Sequence, residues 1–447
     1  MYREVSKLVM YRDFGPDSIL RCFCDCIRDL KEENTLEEDL VDRVYQGIRK
    51  LLEVSTTYGF DRNLWRDYLT FLLLTNENPL TLTAEKKGIE EGSVMRFALQ
   101  DMEVFARLFV YDFRPVERQL GTDCFSTVTE YHAIKKRKQN YNRNVSHHVR
   151  TISDAISAVL EEEGVTAESQ ENISAAAKKM LLILSDFYRD FGVGMFGLNK
   201  AFRLAEGESL SFLPINNLDH VMLDDLVGYE IQKQKLRENT EAYLAGHRAN
   251  NCLLYGDAGT GKSTSIKALI NEYYDCGLRM VEIYKHQFRQ LSSVISEVKH
   301  RNYKFIIYMD DLSFEDFEIE YKYMKAVIEG GLESRPDNVL IYATSNRRHL
   351  IRETWNDTND AELEKHRSDT LQEKLSLVDR FGITIPFMKP NKKEYYQIVA
   401  ALADRSPELE TDEETLLREA TKWEIAHGGM SGRTAQQFID YLAGKKG

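Results

Sequence analysis

A glycine-rich loop between an apolar segment and a helical segment constrains this chain more than any other feature. Residues 256–264 read Gly-Asp-Ala-Gly-Thr-Gly-Lys-Ser-Thr and come directly after an apolar run at 252–255. Residues 265–270 then continue with helical apolar spacing. A buried strand that ends in such a turn and leads into a helix is typical of a parallel α/β sheet with a phosphate site.

The residue types in the loop suit a nucleoside triphosphate. Glycines lack a Cβ atom, so backbone N–H groups can close around phosphate oxygens at the positive end of the following helix. Lys262 is placed to reach the terminal phosphates, and the Ser263 hydroxyl to bind Mg²⁺. The predicted phosphate contacts are Gly256, Asp257, Ala258, Gly259, Thr260, Gly261, Lys262, Ser263 and Thr264.

Length and composition limit the remaining possibilities. With 447 residues the chain is long for one hydrophobic core, so we expect two or three domains. A formal net charge of −13 argues against a surface built mainly for nucleic-acid backbone. No apolar run reaches membrane-spanning length, and the first residues lack a secretory pattern. We therefore expect a cytoplasmic protein with no membrane partner.

The pattern along the chain changes near residue 216. Residues 1–215 show helical apolar spacing, as at Leu40, Val44 and Leu51, and predict a mostly α-helical region of one or two subdomains. Residues 216–389 alternate strands with helices and predict a five-stranded parallel sheet, and residues 390–447 predict a helical lid. Three glycines in 192–197 favour a loop. The predicted strands are 252–255, 280–284, 305–309, 339–343 and 383–387.

Two clusters outside the loop invite a functional interpretation. Residues 131–150 carry six Lys and Arg and no acid, which fits either an anionic partner such as nucleic acid or a solvated basic face. Cys22, Cys24 and Cys26 suggest either a metal site or buried thiols, although only the first and last share a helix face.

Acidic and amide side chains follow the third and fourth predicted strands. Asp310 and Asp311 end the third strand, where carboxylates close to a phosphate loop suit Mg²⁺ binding. Asp310 is the better metal residue, and Asp311 the candidate to orient or deprotonate water. Two acids that cap the next turn are the alternative. Asn346 ends the fourth strand and could contact the γ-phosphate or position water.

In this order, the motifs resemble the AAA+ family of ATPases over residues 216–444. The resemblance places Val227 and Gly228 along adenine, makes ATP the nucleotide, and assigns Asn346 to sensor 1. It places Arg380 at the arginine finger, which acts on a neighbouring subunit and implies a homo-oligomer, and Arg433 at sensor 2 in the lid. An intrachain ion pair is the alternative for Arg380.

More narrowly, the runs 310–315, 329–336 and 343–350 resemble a bacterial family of uncharacterised ATP-binding AAA+ proteins with a helical N-terminal part. Two features depart from the general AAA+ pattern. The second Walker B acid is Asp311 rather than Glu, which favours slow hydrolysis or a contribution from Glu315. Residues 283–288 leave no room for the aromatic-glycine pore loop of protein unfoldases.

These features favour an ATPase that couples Mg-ATP hydrolysis to remodelling, loading or release of a macromolecular partner. A nucleic-acid-binding ATPase that uses residues 131–150 is the first alternative. An ATP-dependent scaffold with very slow hydrolysis is the second. Residues 353–374, rich in acids, form a segment that either couples to a partner or is a plain solvated insertion.

Overall fold

The computed structural model describes most of the chain in two compact units. Unit 1 comprises Met1–Asn199 and Pro214–Leu218, and unit 2 comprises Lys200–Leu213 and Asp219–Gly447. The described residues are all except 16–17, 33–36, 89–91, 133–142, 167, 208, 217, 315–319, 330–335, 347–377, 407–408, 410 and 446–447.

Apart from an isolated antiparallel bridge between Arg62 and Tyr131, the regular elements in the described part of Met1–Asn199 are α-helices. They are α1 (Tyr2–Val5), α2 (Ile19–Glu32), α3 (Glu37–Tyr58), α4 (Leu64–Thr75), α5 (Pro79–Lys87), α6 (Ser93–Phe109), α7 (Arg114–Leu120), α8 (Cys124–Thr129), α9 (Arg143–Glu162), α10 (Gln170–Asp190) and α11 (Gly194–Leu198). Leu40, Val44 and Leu51 are buried on one face of α3, as their spacing predicted.

Helix α11 forms where the glycines favoured a loop, so that prediction is wrong over Gly194–Leu198. A Cβ atom on Gly197 would lie 2.7 Å from the carbonyl oxygen of Gly192. The chain approaches itself too closely here for a side chain, because atoms at that separation overlap. The glycine therefore permits tight packing of a short helix.

An aromatic cluster occupies the core of unit 1. Trp65 packs edge-on against Phe113 with ring centroids 5.4 Å apart, and donates a hydrogen bond from Nε1 to the Leu108 carbonyl.

Cys24 and Cys26 are buried and Cys22 is partly buried. Within the described residues, no group of three or more His, Cys, Asp or Glu side chains is arranged to hold a metal ion. Across the same residues, no helix has the length and apolarity needed to cross a bilayer.

A seven-stranded sheet forms the centre of unit 2. Its strands are β1 (Ala201–Leu204), β2 (Phe212–Pro214), β3 (Cys252–Gly256), β4 (Leu278–Glu282), β5 (Lys304–Met309), β6 (Val339–Ser345) and β7 (Ile383–Phe387). The order across the sheet is β2-β1-β4-β5-β6-β3-β7, and every pairing from β1 to β7 is parallel. Residues of β6 are buried along its whole length, as expected for a central strand covered on both faces.

The predicted fold class is confirmed, with seven strands in place of five. The five expected strands are present, and β1 and β2 extend the sheet beyond β4. We assigned residues 200–213 to the helical N-terminal region, but Ala201 pairs with Met280 of β4. Strands as short as these carry little apolar periodicity, so the sequence pattern did not reveal them.

Helices flank the sheet and then form the lid. The core helices are α12 (Glu230–Leu244), α13 (Lys262–Tyr273), α14 (Leu291–Val298) and α15 (Glu320–Glu329), and the lid helices are α16 (Lys392–Asp404), α17 (Glu413–Ala426) and α18 (Gly432–Lys445). Asn391 starts α16 with a capping box to Glu394. The lid has its own apolar core, in which Tyr395 and Phe438 are buried.

Candidate nucleotide site

The phosphate loop connects the end of β3 to the start of α13, at the carboxyl edge of the sheet. Gly256 has a φ of 134°, and a Cβ atom there would lie 2.1 Å from the Phe387 carbonyl oxygen of β7. The Asp257 N–H donates to that same oxygen at 3.0 Å. Close contact with β7 therefore requires glycine at this position.

Lys262 is held inside the loop by three oxygen acceptors. Its Nζ donates to the carbonyl oxygens of Gly256 (2.9 Å) and Asp257 (2.6 Å) and to Asn346 Oδ1 (3.0 Å). Burial lowers the pKa of Lys262 below its ordinary value, although the carboxylates of Asp257 and Asp311 act in the opposite direction. The structure thus joins the loop lysine to the amide that follows β6.

The two acids at the end of β5 make different hydrogen bonds. Asp310 Oδ1 accepts from Ser263 Oγ and from Thr344 Oγ1, both at 2.6 Å. Asp311 Oδ1 accepts from Asn346 Nδ2 at 2.7 Å. Partial desolvation would raise the pKa of Asp310, but the hydrogen bonds from Ser263 and Thr344 outweigh it, so the pKa is lowered. The carboxylate form of Asp310 is therefore favoured.

The residues around Asp310 fit a magnesium ion. Ser263 Oγ and Asp310 Oδ1 meet at hydrogen-bond distance, and both are the hard oxygen donors that Mg²⁺ prefers. Tyr308 lies two residues earlier on the same face of β5, and its buried hydroxyl has no hydrogen-bond partner among the described residues. Mg²⁺ usually binds one or two carboxylates plus phosphates and water, so this small donor set suffices.

A cavity of about 940 Å³ lies over the loop within unit 2. Predicted residues that line it are Val227, Ala258, Gly259, Thr260, Gly261, Lys262, Ser263, Thr264, Asp310, Asp311, Asn346 and Arg433. Apolar side chains from the lid, Ile398 and Leu402, line it as well. Val227 also packs against the apolar core of the lid. A cavity with an apolar end and a polar, cationic end matches the two halves of a nucleotide.

Four predicted site residues lie outside the cavity lining. Gly256 and Asp257 are in the loop but turn toward β7, where Asp257 Oδ2 accepts from the Lys389 N–H at 2.9 Å. Gly228 directly follows the lining residue Val227. Arg380 precedes β7, is partly buried and is not among the residues that line this cavity. Glu315, residues 133–142 of the basic segment and the acidic segment 353–374 fall outside the described residues.

The lid contacts the loop through its backbone. The Arg433 N–H donates to the Gly259 carbonyl oxygen at 3.2 Å. A Cβ atom on Gly259 would lie 3.0 Å from Ser431 Oγ and 3.1 Å from the Arg433 Cβ. Ser431 caps α18 by accepting the Thr434 N–H. The start of α18 is thereby held directly against the phosphate loop, which brings Arg433 to the cavity.

Sequence reasoning missed four residues of this site. Lys233 is buried and donates from Nζ to the Leu226 carbonyl oxygen at 2.8 Å. Arg405 donates to the carbonyl oxygens of Asp225 (2.5 Å) and Asp224 (3.3 Å). Tyr308 and Thr344 flank Asp310. No local sequence pattern marks these residues, because the burial of Lys233 and the contacts of the other three depend on tertiary structure.

Comparison with known proteins identifies the family and adds little on function. The family model described as "Protein of unknown function (DUF815)" matches residues 198–446. Two point mutants of RuvB from Thermotoga maritima share 16% identity with the chain, with TM-scores of 0.34 and 0.35. Each match covers 49% of this chain and 63% or 64% of the RuvB chain, which is less than two thirds. No curated protein matches.

The family match covers unit 2 almost completely, including the loop, both acids, Asn346 and the lid. It agrees with the resemblance drawn from the motifs, and the P-loop α/β core with a helical lid is the fold that the resemblance implied. The chain therefore belongs to the family described as Protein of unknown function (DUF815), with an AAA+ ATPase fold in its second unit.

Proposed function

We propose that the protein is an ATPase that binds Mg-ATP in this cavity and couples hydrolysis to remodelling, loading or release of a macromolecular partner. One observation carries the proposal. A chain of hydrogen bonds runs from Lys262 through Asn346 to Asp311, and a second joins Ser263 to Asp310. The phosphate-binding, water-orienting and metal-binding groups are thus in contact, which phosphoryl transfer requires.

Each side chain has a distinct role in the proposed reaction. Lys262 contacts the terminal phosphates, and the loop N–H groups bind their oxygens. Ser263 and Asp310 would hold Mg²⁺, which neutralises charge on the phosphates when bound. Asp311 orients the attacking water and accepts its proton, a contribution of about 10²- to 10⁴-fold in rate. Asn346 aligns Asp311 through its amide.

Two arginines would complete the reaction. Arg433, which lines the cavity from α18, would contact the phosphates and report their state to the lid. Arg380 would stabilise the transition state in a neighbouring subunit of a homo-oligomer. Arg380 is not among the residues that line the cavity of its own chain, which is consistent with that role.

A partner protein is the client we favour, because the formal net charge of −13 disfavours a surface built mainly for nucleic-acid backbone. The connection between β4 and α14 is a 3-10 helix over Lys285–Gln290, which supports a loader or remodelling role over threading. A basic segment that binds nucleic acid remains the alternative for residues 131–150. A gel-shift assay in rising salt, with wild type and a variant neutralised at 135–138, separates these two clients.

Two variants test the proposed ATPase. Lys262→Ala should abolish ATP binding, whereas Asp311→Asn should keep binding and reduce turnover by about 100-fold or more. Lys235→Ala, an exposed lysine on α12, serves as the control. Binding is measured by calorimetry and turnover by phosphate release. Full activity in Lys262→Ala would refute the nucleotide site. Binding without measurable wild-type turnover would instead favour an ATP-dependent scaffold.

The same Asp311→Asn variant can be used to identify the macromolecular partner. A variant that binds ATP and does not hydrolyse it should retain its partner, because release depends on turnover. Pull-down with Asp311→Asn is compared with pull-down by Lys262→Ala, which should not form the ATP state. A client recovered equally with both variants would argue against ATP-dependent release.

A further inference from the structure

Thr344 makes more contacts with the acidic turn after β5 than any predicted site residue. It lies near the end of β6 and is 1% exposed. Its Oγ1 donates to Asp310 Oδ1 at 2.6 Å and accepts the Asp311 N–H at 2.9 Å. Its carbonyl oxygen accepts the Leu312 N–H at 2.7 Å. One residue therefore contacts three consecutive residues of the turn.

The direction of these hydrogen bonds is determined by chemistry. An ionised carboxylate only accepts, so the single hydroxyl proton of Thr344 must point at Asp310. The lone pairs of the same oxygen are then free for the Asp311 N–H. A β-branched side chain has few χ1 rotamers on a strand, which keeps this oxygen in place. The hydroxyl thus links the two carboxylate residues.

Asp311 needs such support because its backbone is unfavourable. It has a φ of 49°, in the left-handed region that residues other than glycine rarely adopt. The hydrogen bond from its N–H to Thr344 Oγ1 stabilises this conformation. The conformation in turn directs the carboxylate to Asn346, at 2.7 Å. Loss of the hydroxyl would remove this hydrogen bond and destabilise the left-handed conformation of Asp311.

Strand register brings Thr344 to this point. In the parallel pair, Met309 of β5 is opposite Ala343 of β6, so the next residues along both strands meet at the carboxyl edge. The pairing therefore sets Thr344 beside Asp310 regardless of the ligand. Buried residues on both strands maintain the register, because a slip by one residue would move each side chain to the opposite face of the sheet and disrupt its packing.

We propose that Thr344 is a positioning residue that aligns the metal-binding Asp310 and the water-orienting Asp311 for ATP hydrolysis. This inference rests on the proposed ATPase function. The residue acts through the two carboxylates and not on the nucleotide itself. The property that matters is the hydroxyl, which both donates and accepts, so serine should replace threonine and valine should not.

Steady-state kinetics with two variants test this role. Thr344→Val removes the hydroxyl at nearly constant volume and should lower kcat by about 10- to 100-fold while KM changes by less than about 3-fold. Thr344→Ser should retain kcat within a few fold. Thr240→Val removes a buried hydroxyl that bonds Tyr342 elsewhere in unit 2, and controls for the loss of stability. Equal kcat in Thr344→Val and wild type would overturn the proposal.

A double variant separates positioning from general damage. If Thr344 acts through the carboxylates, then at saturating Mg²⁺, where weaker metal binding through Asp310 is compensated, Thr344→Val should add little to the defect of Asp311→Asn, because the positioned water-orienting group is already lost. A multiplicative loss in the double variant, with binding intact, would indicate an independent structural role and contradict the proposal.

A metal-binding measurement does not depend on turnover. Mn²⁺ affinity of the complex with a non-hydrolysable ATP analogue, followed by electron paramagnetic resonance, should fall several-fold in Thr344→Val because Asp310 loses a hydrogen bond. If wild type binds the analogue without hydrolysing ATP, the ATPase proposal fails while this readout still tests Thr344. Unchanged Mn²⁺ affinity and unchanged kcat would both count against the positioning role.

Discussion

Gly256 lies where the phosphate loop comes closest to a neighbouring strand. Its φ of 134° and the 2.1 Å separation between a built Cβ and the Phe387 carbonyl oxygen leave no space for alanine. We expect Gly256→Ala to reduce the free energy of unfolding by at least about 3 kcal/mol, from backbone strain and displacement of β7. Urea denaturation followed by circular dichroism measures the change.

Gly277 offers a matched control for that substitution. It also has a positive φ, of 86°, but a Cβ atom there meets nothing within 4 Å. Gly277→Ala should cost only about 1–2 kcal/mol, the ordinary cost of a left-handed alanine. Similar losses in the two variants would show that contact with β7 is not what requires glycine at 256.

Asp67 of unit 1 provides a pH-dependent prediction at the same scale. The side chain is 8% exposed, and burial raises its pKa from 3.8 to about 6. The native state therefore binds a proton more readily than the unfolded chain between about pH 4 and pH 6. Stability from this group is present below pH 4 and is lost as pH rises through 6, by on the order of 3 kcal/mol.

Asp67→Asn should remove that dependence. As pH rises from 4 to 7, the unfolding free energy of the wild type should fall relative to that of Asp67→Asn. Urea titrations at four pH values across this range provide the measurement. If the unfolding free energies of the two proteins change with pH in parallel, Asp67 does not titrate in this pH range.

At the scale of elements, the end of α16 is joined to the segment that precedes α12. Arg405 donates to the carbonyl oxygens of Asp225 and Asp224, and it lines the cavity. On the core side, Lys233 holds the next carbonyl, that of Leu226. Hydrogen bonds from Arg405 of the lid and Lys233 of the core therefore hold residues 224–226, which lead into Val227, the residue proposed to lie along adenine.

Loss of this connection should weaken nucleotide binding. Arg405→Ala removes two charge-assisted hydrogen bonds, so we expect the Kd for ATP to rise about 10-fold. Amide hydrogen exchange over 221–227 should also become faster, because the lid no longer holds this segment. Arg418→Ala, an exposed arginine of α17, is the control within the lid. Unchanged Kd and unchanged exchange would exclude a role for Arg405.

The elements show where sequence patterns succeed. Each of the five predicted strands is a short apolar run bounded by polar or turn residues, and each is present, although β4 spans Leu278–Glu282 rather than 280–284. Strands β1 and β2 were missed because each is only a few residues long. Strand β1 takes its place by pairing with β4, which is remote in sequence, and β2 lies next to β1 at the edge of the sheet.

At the scale of the whole molecule, the proposed homo-oligomer depends on Arg380. Arg380→Ala should keep ATP binding and lower turnover by about 10³-fold, the magnitude usual for an arginine finger. Lys262→Ala should be inactive for lack of nucleotide. A mixture of the two should regain activity, since the second variant can supply Arg380 to the nucleotide bound by the first.

Controls make this mixing experiment decisive. Each variant alone should be inactive, and the Lys262→Ala/Arg380→Ala double variant should restore nothing when mixed with either. Pull-down of one variant through an affinity tag carried by the other, in the presence of ATP, establishes that mixed oligomers form. Mixed oligomers without recovered activity would contradict action between subunits and favour the intrachain ion pair for Arg380.

The sequence by itself determined the local parts of this protein. The loop, its lysine, the strand-end acids and Asn346 could be read directly because their chemistry depends on neighbours in the chain and on the ends of parallel strands, which meet at one edge. Helical spacing likewise predicted unit 1. Only the tertiary structure determined the contacts between segments that are distant in the sequence. Thr344 beside Asp310, Arg405 on the 224–226 segment and Gly259 against Ser431 all follow from register and packing, which no local pattern encodes.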